Sequence, residues 1–338
     1  MIEYREPATF PLMPTTYPEL KRWTQRVEAY LNDHFGARDL LIYFNSRIRY
    51  ALGDSGSSAV AVGRSGWLFL AKDSQIRQKF RGEVHFQPDT LSRFIEEMQR
   101  RASWLRSRNS ELLLVIIPNK STIYPTHVPK SWTRLGPHPT DQLVAALSDQ
   151  DSVHWLDLRP LLRAAAGQEQ IYDKFDSHWN DKGCYLAYRA IMEALAQSHH
   201  VHTVLEDQIR FDRISRAGDL SRMLNLSGYL TEETWRGSVL SSGVSEPRRI
   251  PNFKQFEAEG YSSRTRYADA PSALILCDSF VASYMIKYLQ ESFAEAHFMP
   301  HNRLTFPADN IRERRPDLVI YICAERLIPI NLAGAELR

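Results

Sequence analysis

Long apolar runs are missing from this chain of 338 residues. The longest, residues 112–118, falls far short of the roughly 18 apolar residues that a membrane-spanning helix needs. Cysteine is scarce. Cys184, Cys277 and Cys323 form an odd, sparse set, which excludes a disulfide framework. Cys277 and Cys323 end apolar runs and read as buried core thiols. HExxH and CxxC are both absent, and no two of the 11 histidines take the spacing of a helical zinc site, so neither a metal nor another cofactor is expected. Charge of one sign is not in excess. A net charge of +2 gives no reason to expect nucleic acid or an anionic membrane surface as partner. The opening MIEYREPATFPLMP lacks the basic start, apolar middle and small-residue cleavage site of a signal peptide. Read literally, the chain is soluble and unexported.

What is present is ordinary globular material: 43% hydrophobic and 24% charged residues, enough for a real core. Residues 17–35 carry Leu20, Trp23, Val27, Tyr30 and Leu31 at helical spacing, and a second helix is expected from 39 to about 50. AVAVGRSGWLFLA, residues 59–71, reads as a hairpin turning at Gly63 and Gly66. Residues 88–106 read as a helix opened by Pro88 and capped by Asp89. Beyond it the pattern alternates. Strands are expected at 111–118, 153–158, 273–277, 295–299 and 317–323, and helices at 140–147, 181–196 and 280–293. Residues 199–270 read as a polar, irregular insertion. This is an α/β pattern, with a parallel sheet covered by helices on both faces. The expected organisation is a helical extension over residues 1–58 and a catalytic domain over 59–338.

Ligands of such sheets bind beyond the carboxyl ends of the strands. ILCDSF, residues 275–280, puts Ser279 there, between a strand and a helix. Many hydrolases hold a nucleophile at such a junction, but a serine alone needs a base, and the base needs an orienting acceptor. KFDSHWNDKG, residues 174–183, offers both. Asp176 and His178 are two apart, so extended backbone puts them on one side. One ring nitrogen of His178 then faces Asp176 and the other is free for Ser279. Spacing leaves plainer readings open. Ser279 is also an ordinary helix-start residue with Asp278 as its cap, and His178 with Trp179 also reads as a packed loop anchor.

Four stretches add to this: DHFGARDLL (33–41) with VGRSGWLFL (62–70), LLVIIPNKSTIYP (113–125), FDSHWNDKG (175–183), and LILCDSF (274–280) followed by DLVIYICAERLI (317–328). In this order they resemble the SGNH-hydrolase-like family of the alginate O-acetyltransferases, of the AlgJ and AlgX type, with related cellulose-acetylating proteins. The resemblance runs from about residue 30 onward. It implies a three-layer α/β/α sandwich with a central parallel sheet and a permuted motif order, the serine coming last. By position it implies a triad of Asp176, His178 and Ser279. Cys277 stands where the family usually has glycine, and a positive φ there would strain a cysteine.

The resemblance further implies acyl transfer through an acetyl-serine onto a sugar hydroxyl of a bacterial exopolysaccharide such as alginate or cellulose. The expected partners are that polysaccharide, a membrane-bound acyltransferase supplying acetyl groups, and other polymer-secretion proteins. A periplasmic location follows, with an export signal or anchor trimmed from this sequence. Oxyanion donors would be the Ser279 N–H and Gly218, whose alternative is a plain turn before a helix. Trp179 and Tyr284 are candidates to stack on sugars, against core packing for both. Lys120 is a candidate to meet the polymer, against a solvated strand end. Arg303 is a candidate for a uronate carboxylate, and Trp67 is expected to pack the hairpin on the domain. An acetylesterase with the same triad, and a silent polysaccharide-binding subunit of a secretion complex, are the competing readings.

Overall fold

Residues 111–117 divide their side chains between two cores. Leu113, Val115 and Ile117 enter one cluster, and Leu112, Leu114 and Ile116 enter another. Such a strand is buried on both faces, which is why it reads as an unbroken apolar run. The computed structural model describes residues 8–14, 16–34, 36, 38–72, 75–245, 253–300 and 304–328. Among them are strands β1 (Val60–Val62), β2 (Leu68–Leu70), β3 (Glu111–Ile117), β4 (His154–Asp157), β5 (Ile209–Arg216), β6 (Glu232–Val239), β7 (Tyr261–Arg264), β8 (Ser272–Cys277), β9 (Glu295–Pro300) and β10 (Leu318–Ala324).

The main sheet has the order β4-β3-β10-β8-β9-β7. Its pairings are parallel except at the edge, where β7 runs antiparallel to β9. One face is covered by the helix Asp181–Leu195 and the turns after Ser279, the other by Pro88–Arg106, Pro139–Ser148 and Ala308–Arg314. This is the three-layer α/β/α sandwich that the resemblance implies. From β3 the chain moves outward to β4, and from β8 outward to β9 in the other direction. The carboxyl ends of β3, β10 and β8 therefore border the crevice where such sheets bind ligands.

The hairpin expected at 59–71 is present as β1 and β2, with Ser65 and Gly66 at positive φ in its turn. Several elements differ from expectation: the segment expected to be irregular, 199–270, also holds a helix at Phe253–Glu259 and the edge strand β7 of the main sheet. Residues 209–239 are not irregular: β5 and β6 form an antiparallel ribbon in continuous register from Ile209↔Val239 to Arg216↔Glu232. Its sequence, rich in Arg, Asp, Glu and Ser, gives no apolar alternation because a two-stranded ribbon buries little of either face. The single helix expected at 280–293 is a π-helical segment, Val281–Met285, followed by one α-helical turn, Ile286–Leu289.

Helices Tyr17–His34 and Arg38–Ala51 precede the hairpin. The second touches the body through Tyr50, which donates to the Gly66 carbonyl at 2.9 Å. Among the described residues, no helix is long and apolar enough to cross a membrane.

Candidate active site

Strand β8 ends at Cys277, in extended backbone, so no left-handed residue is required there and the cysteine is unstrained. Asp278 then fixes the turn. Its Oδ1 accepts the Phe280 N–H at 2.9 Å, and its Oδ2 accepts the Ala324 N–H at the end of β10 at 2.8 Å. Ser279 is thus held at the first turn of a helical segment, where backbone N–H groups lack intrahelical partners.

The base comes from a loop pinched at its neck. Tyr172 and Trp179 form a β-bridge, and the Asn180 N–H donates to the Ile171 carbonyl at 2.9 Å. The Tyr172 hydroxyl ties this neck to Pro118 at the end of β3, at 2.7 Å. His178 leaves the loop toward Ser279, 101 residues away in sequence, with Nε2 2.8 Å from Oγ. Its Nδ1 is 2.8 Å from Asp176 Oδ1. A carboxylate only accepts, so Nδ1 carries the hydrogen and Nε2 accepts from the serine. The geometry therefore brings together the three side chains singled out in the sequence.

Many polar backbone groups of this loop meet a charged side chain. Lys120 Nζ donates to the carbonyls of Asp173, Lys174 and Asp176, at 3.0, 3.1 and 2.5 Å. Glu232 accepts the N–H groups of Lys174 and Phe175 at 2.7 and 2.8 Å. Asp219 accepts the Ser177 N–H at 2.7 Å and donates its own N–H to Asp176 Oδ2 at 3.0 Å. Arg216 pairs with Asp173 at 2.6 Å and lies 3.6 Å from Asp176 Oδ2. Burial would push the Asp176 carboxyl up, but hydrogen bonds from the His178 ring and backbone, with the charges of His178 and Arg216, hold it well below the usual carboxylate range. Burial pushes Lys120 down to about 8, against the pull of Asp176, Asp219, Glu232 and Asp173.

Several expectations are corrected here. Trp179 does not face a sugar. It is fully buried, edge-on to Phe280 at 5.1 Å. In extended backbone, alternate residues point opposite ways, so the neighbour of an outward His178 points inward. Tyr284 is also buried. Its ring lies 5.8 Å from that of His178, and its hydroxyl accepts from Arg216. Lys120 neither meets the polymer nor ends in solvent, because its buried ammonium is enclosed by the three carbonyls. Trp67 packs the hairpin on the domain, 4.7 Å from Tyr124. Gly218 lies at the aspartate end of the triad. Arg303 falls outside the described residues.

Sequence reading missed Asp173, Arg216, Asp219 and Glu232. Three of them lie in the segment taken for an insertion, and scattered charges there gave no spacing to read. Asp176, His178 and Asp219 are also the one trio among the described residues with metal-binding atoms mutually within 4.8 Å. Those atoms already hydrogen-bond within the cluster and to Ser177 and Ser279.

Gly218 is required for space. A Cβ on it would sit 2.1 Å from the Phe175 carbonyl oxygen and 2.5 Å from the Asp176 nitrogen. Both are backbone atoms and cannot swing away. Gly218→Ala is expected to cost about 1–3 kcal/mol in stability. It should also lower kcat about 10²-fold, the penalty of displacing a reacting group by an ångström. Thermal melting and steady-state kinetics check both.

A serine after a parallel strand, met by a D-x-H loop from the neighbouring layer, on this sandwich, defines an SGNH-hydrolase-like protein. Residues 60–240, more than half of the chain, match the family described as SGNH hydrolase-like domain, acetyltransferase AlgX, and the chain belongs to that family. It is 26% identical over 183 residues to the probable alginate O-acetylase AlgJ of Pseudomonas syringae pv. tomato, covering 52% of this chain and 43% of that protein. The chain spans about half the length of the curated relatives it matches. Among solved structures, Bacillus cereus PatB1 with a sulfonyl adduct superimposes with a TM-score of 0.58 at 13% identity, over 80% of this chain and 94% of that one. The O-acetyltransferase domain of Pseudomonas putida AlgJ gives 0.53 at 17% identity, over 83% and 96%. These two likenesses are of fold.

Proposed function

We propose that this protein is an exopolysaccharide O-acetyltransferase that works through an acetyl group held on Ser279. The observation that carries the reading is the unbroken relay of 2.8 Å contacts from Ser279 to His178 to Asp176, in a chain of an acetyltransferase family. His178 Nε2 takes the Ser279 proton as Oγ attacks the acetyl carbonyl. The same proton then goes to the leaving group of the donor. Asp176 holds the Nδ1–H and faces the imidazolium that forms. The Ser279 N–H is one donor to the oxyanion, a contact that typically supplies about 10²–10³ in rate. In the second half-reaction a sugar hydroxyl gives its proton to His178 and attacks the acetyl-serine, the acetyl–Oγ bond breaks, and His178 returns the proton to Ser279 Oγ.

The acceptor is a bacterial polymer of the alginate or cellulose kind. Alginate is favoured by the probable alginate O-acetylases among the relatives. The acetyl group comes from a membrane-bound acyltransferase, and the reaction takes place in the periplasm beside other polymer-secretion proteins. The test is intact-protein mass after incubation with a small acetyl ester, for wild type and Ser279→Ala. Wild type should gain one acetyl mass or turn the ester over, and the variant should do neither. Equal inertness of the two would reject the reading. Ester turnover with no transfer to any polysaccharide would favour an acetylesterase.

A further inference from the structure

His178 Nδ1 faces two carboxylates. Asp176 Oδ1 is 2.8 Å away, and Asp219 Oδ2 is 3.6 Å away. Ser177 lies between the second pair. Its hydroxyl donates to Asp219 Oδ2 at 2.5 Å, and its oxygen is 3.3 Å from Nδ1. The Nδ1–H is therefore shared, chiefly with Asp176 and partly with the Ser177 oxygen, which passes the interaction on to Asp219. The two acids are also joined directly, since the Asp219 N–H donates to Asp176 Oδ2.

We propose that Asp219 is a positioning residue, a second counter-ion that shares with Asp176 the charge on His178 when Ser279 is acylated. The inference rests on the acetyl-serine reading above. In the step concerned, the Oγ–H proton passes to Nε2 while Oγ bonds to the acetyl carbon and the carbonyl electron pair moves to its oxygen. The Nδ1 proton stays where it is, and no proton reaches Asp219. The imidazolium thus forms beside two negative groups, which strengthens His178 as the base that creates it.

The other groups around the ring do not replace this role. Phe280 and Tyr284 present rings, at 4.8 and 5.8 Å. Arg216 reaches Asp176 from the far side, and Lys120 lies behind the loop on its carbonyls. The environment of Asp219 agrees with the assignment. Burial and the neighbouring Asp176 hold its carboxyl above the usual carboxylate value, against the opposing pull of the His178 charge and the hydrogen bonds from Ser177. Asp219 is thus most at ease ionised when His178 is protonated.

The experiment is the pH–rate profile with a small acetyl ester, for wild type and for Asp219→Asn, Asp219→Ser and Asp219→Glu. Melting temperature and the mass of the acetyl-enzyme are measured in parallel. Asn and Ser should lower kcat about tenfold, the factor carried by one pH unit of base strength. They should also move the acid limb to lower pH, because a negative charge 3.6 Å from Nδ1 is gone. KM and the site of acetylation should not change. Glu restores the charge and should return the limb toward the wild-type position. Ser is the second neutral variant, should Asn fail to fold. An acid limb unmoved in a folded neutral variant overturns the inference, as does a rate loss that Glu fails to recover. If wild type is as inert as Ser279→Ala, the acetyl-serine reading itself falls and takes this inference with it. That outcome is seen before any variant at 219 is made.

Discussion

Asp176→Asn lowers kcat about 10³–10⁴-fold and leaves KM nearly unchanged. Every hydrogen bond to this carboxylate is one it accepts. Oδ1 takes the His178 backbone N–H and Nδ1–H, and Oδ2 takes the Asp219 N–H. An asparagine must turn its NH₂ to one of these ends. Facing His178, it forces the tautomer whose Nε2 already holds a proton and cannot accept from Ser279, a defect worth about 10⁴ in serine proteases. Facing Asp219, it sets donor against donor and loosens the loop. Steady-state kinetics on an acetyl ester decide the size. The same carboxylate has a folded pKa below its unfolded one, so its stabilisation is complete above about pH 4 and is lost as pH falls further. Acid denaturation of the asparagine variant should therefore show a shallower dependence on pH.

Lys120→Met is the second large effect. Methionine fills the space but leaves the Asp173 and Asp176 carbonyls without their ammonium, at about 1–3 kcal/mol each. Melting should report a loss of about 3 kcal/mol, and kcat should fall about 10²-fold as the Asp176 loop loses its anchor. Lys120 also predicts two opposite responses to pH in wild type. Its folded pKa, about 8, lies below the unfolded lysine value of about 10.4, so the unfolded chain binds more protons between them and this group raises stability with pH across that window. Activity should decline over the same rise, because the charge that holds the loop is going. The methionine variant should lack both trends. A flat wild-type rate up to pH 10 would argue against Lys120 as the anchor.

How much of this was legible in the sequence depended on where the physical signal sat. Strands β3, β8 and β10 announced themselves because burial on both faces leaves an unbroken run of Leu, Ile and Val. The hairpin showed through its glycine turn. The ribbon did not, because its few apolar residues, Ile209, Phe211, Ile214, Trp235 and Val239, are scattered among charged ones. The π-helical turn left no mark in composition. At the site, Asp176, His178 and Ser279 stood out because the chemistry needs those types at a strand end and in a D-x-H step. In sequence Lys120 reads as a polymer contact or a solvated strand end, since the three carbonyls around it belong to a loop more than 50 residues later. Trp179 and Tyr284 were credited to the polymer because they sit near the triad in sequence, and adjacency says nothing of direction. Asp219 and Arg216 were invisible: a charged residue in a polar stretch acquires meaning only when the fold sets it against a partner.

The two halves of the triad are built from different material. Ser279 stands on an apolar sheet strand locked between neighbours, while the Asp176–His178 loop hangs from Lys120, Arg216, Asp219 and Glu232. Sheet cores open only near global unfolding, whereas a half-exposed two-stranded ribbon opens at lower free energy, and the β5–β6 ribbon, which carries Arg216 and Glu232 to the otherwise buried loop, is such an element. The molecule therefore has an order of failure. Alignment is lost first and architecture last, so a sample with an undisturbed fold can already be silent. Turnover, rather than any spectrum of the folded chain, is the sensitive gauge of its integrity.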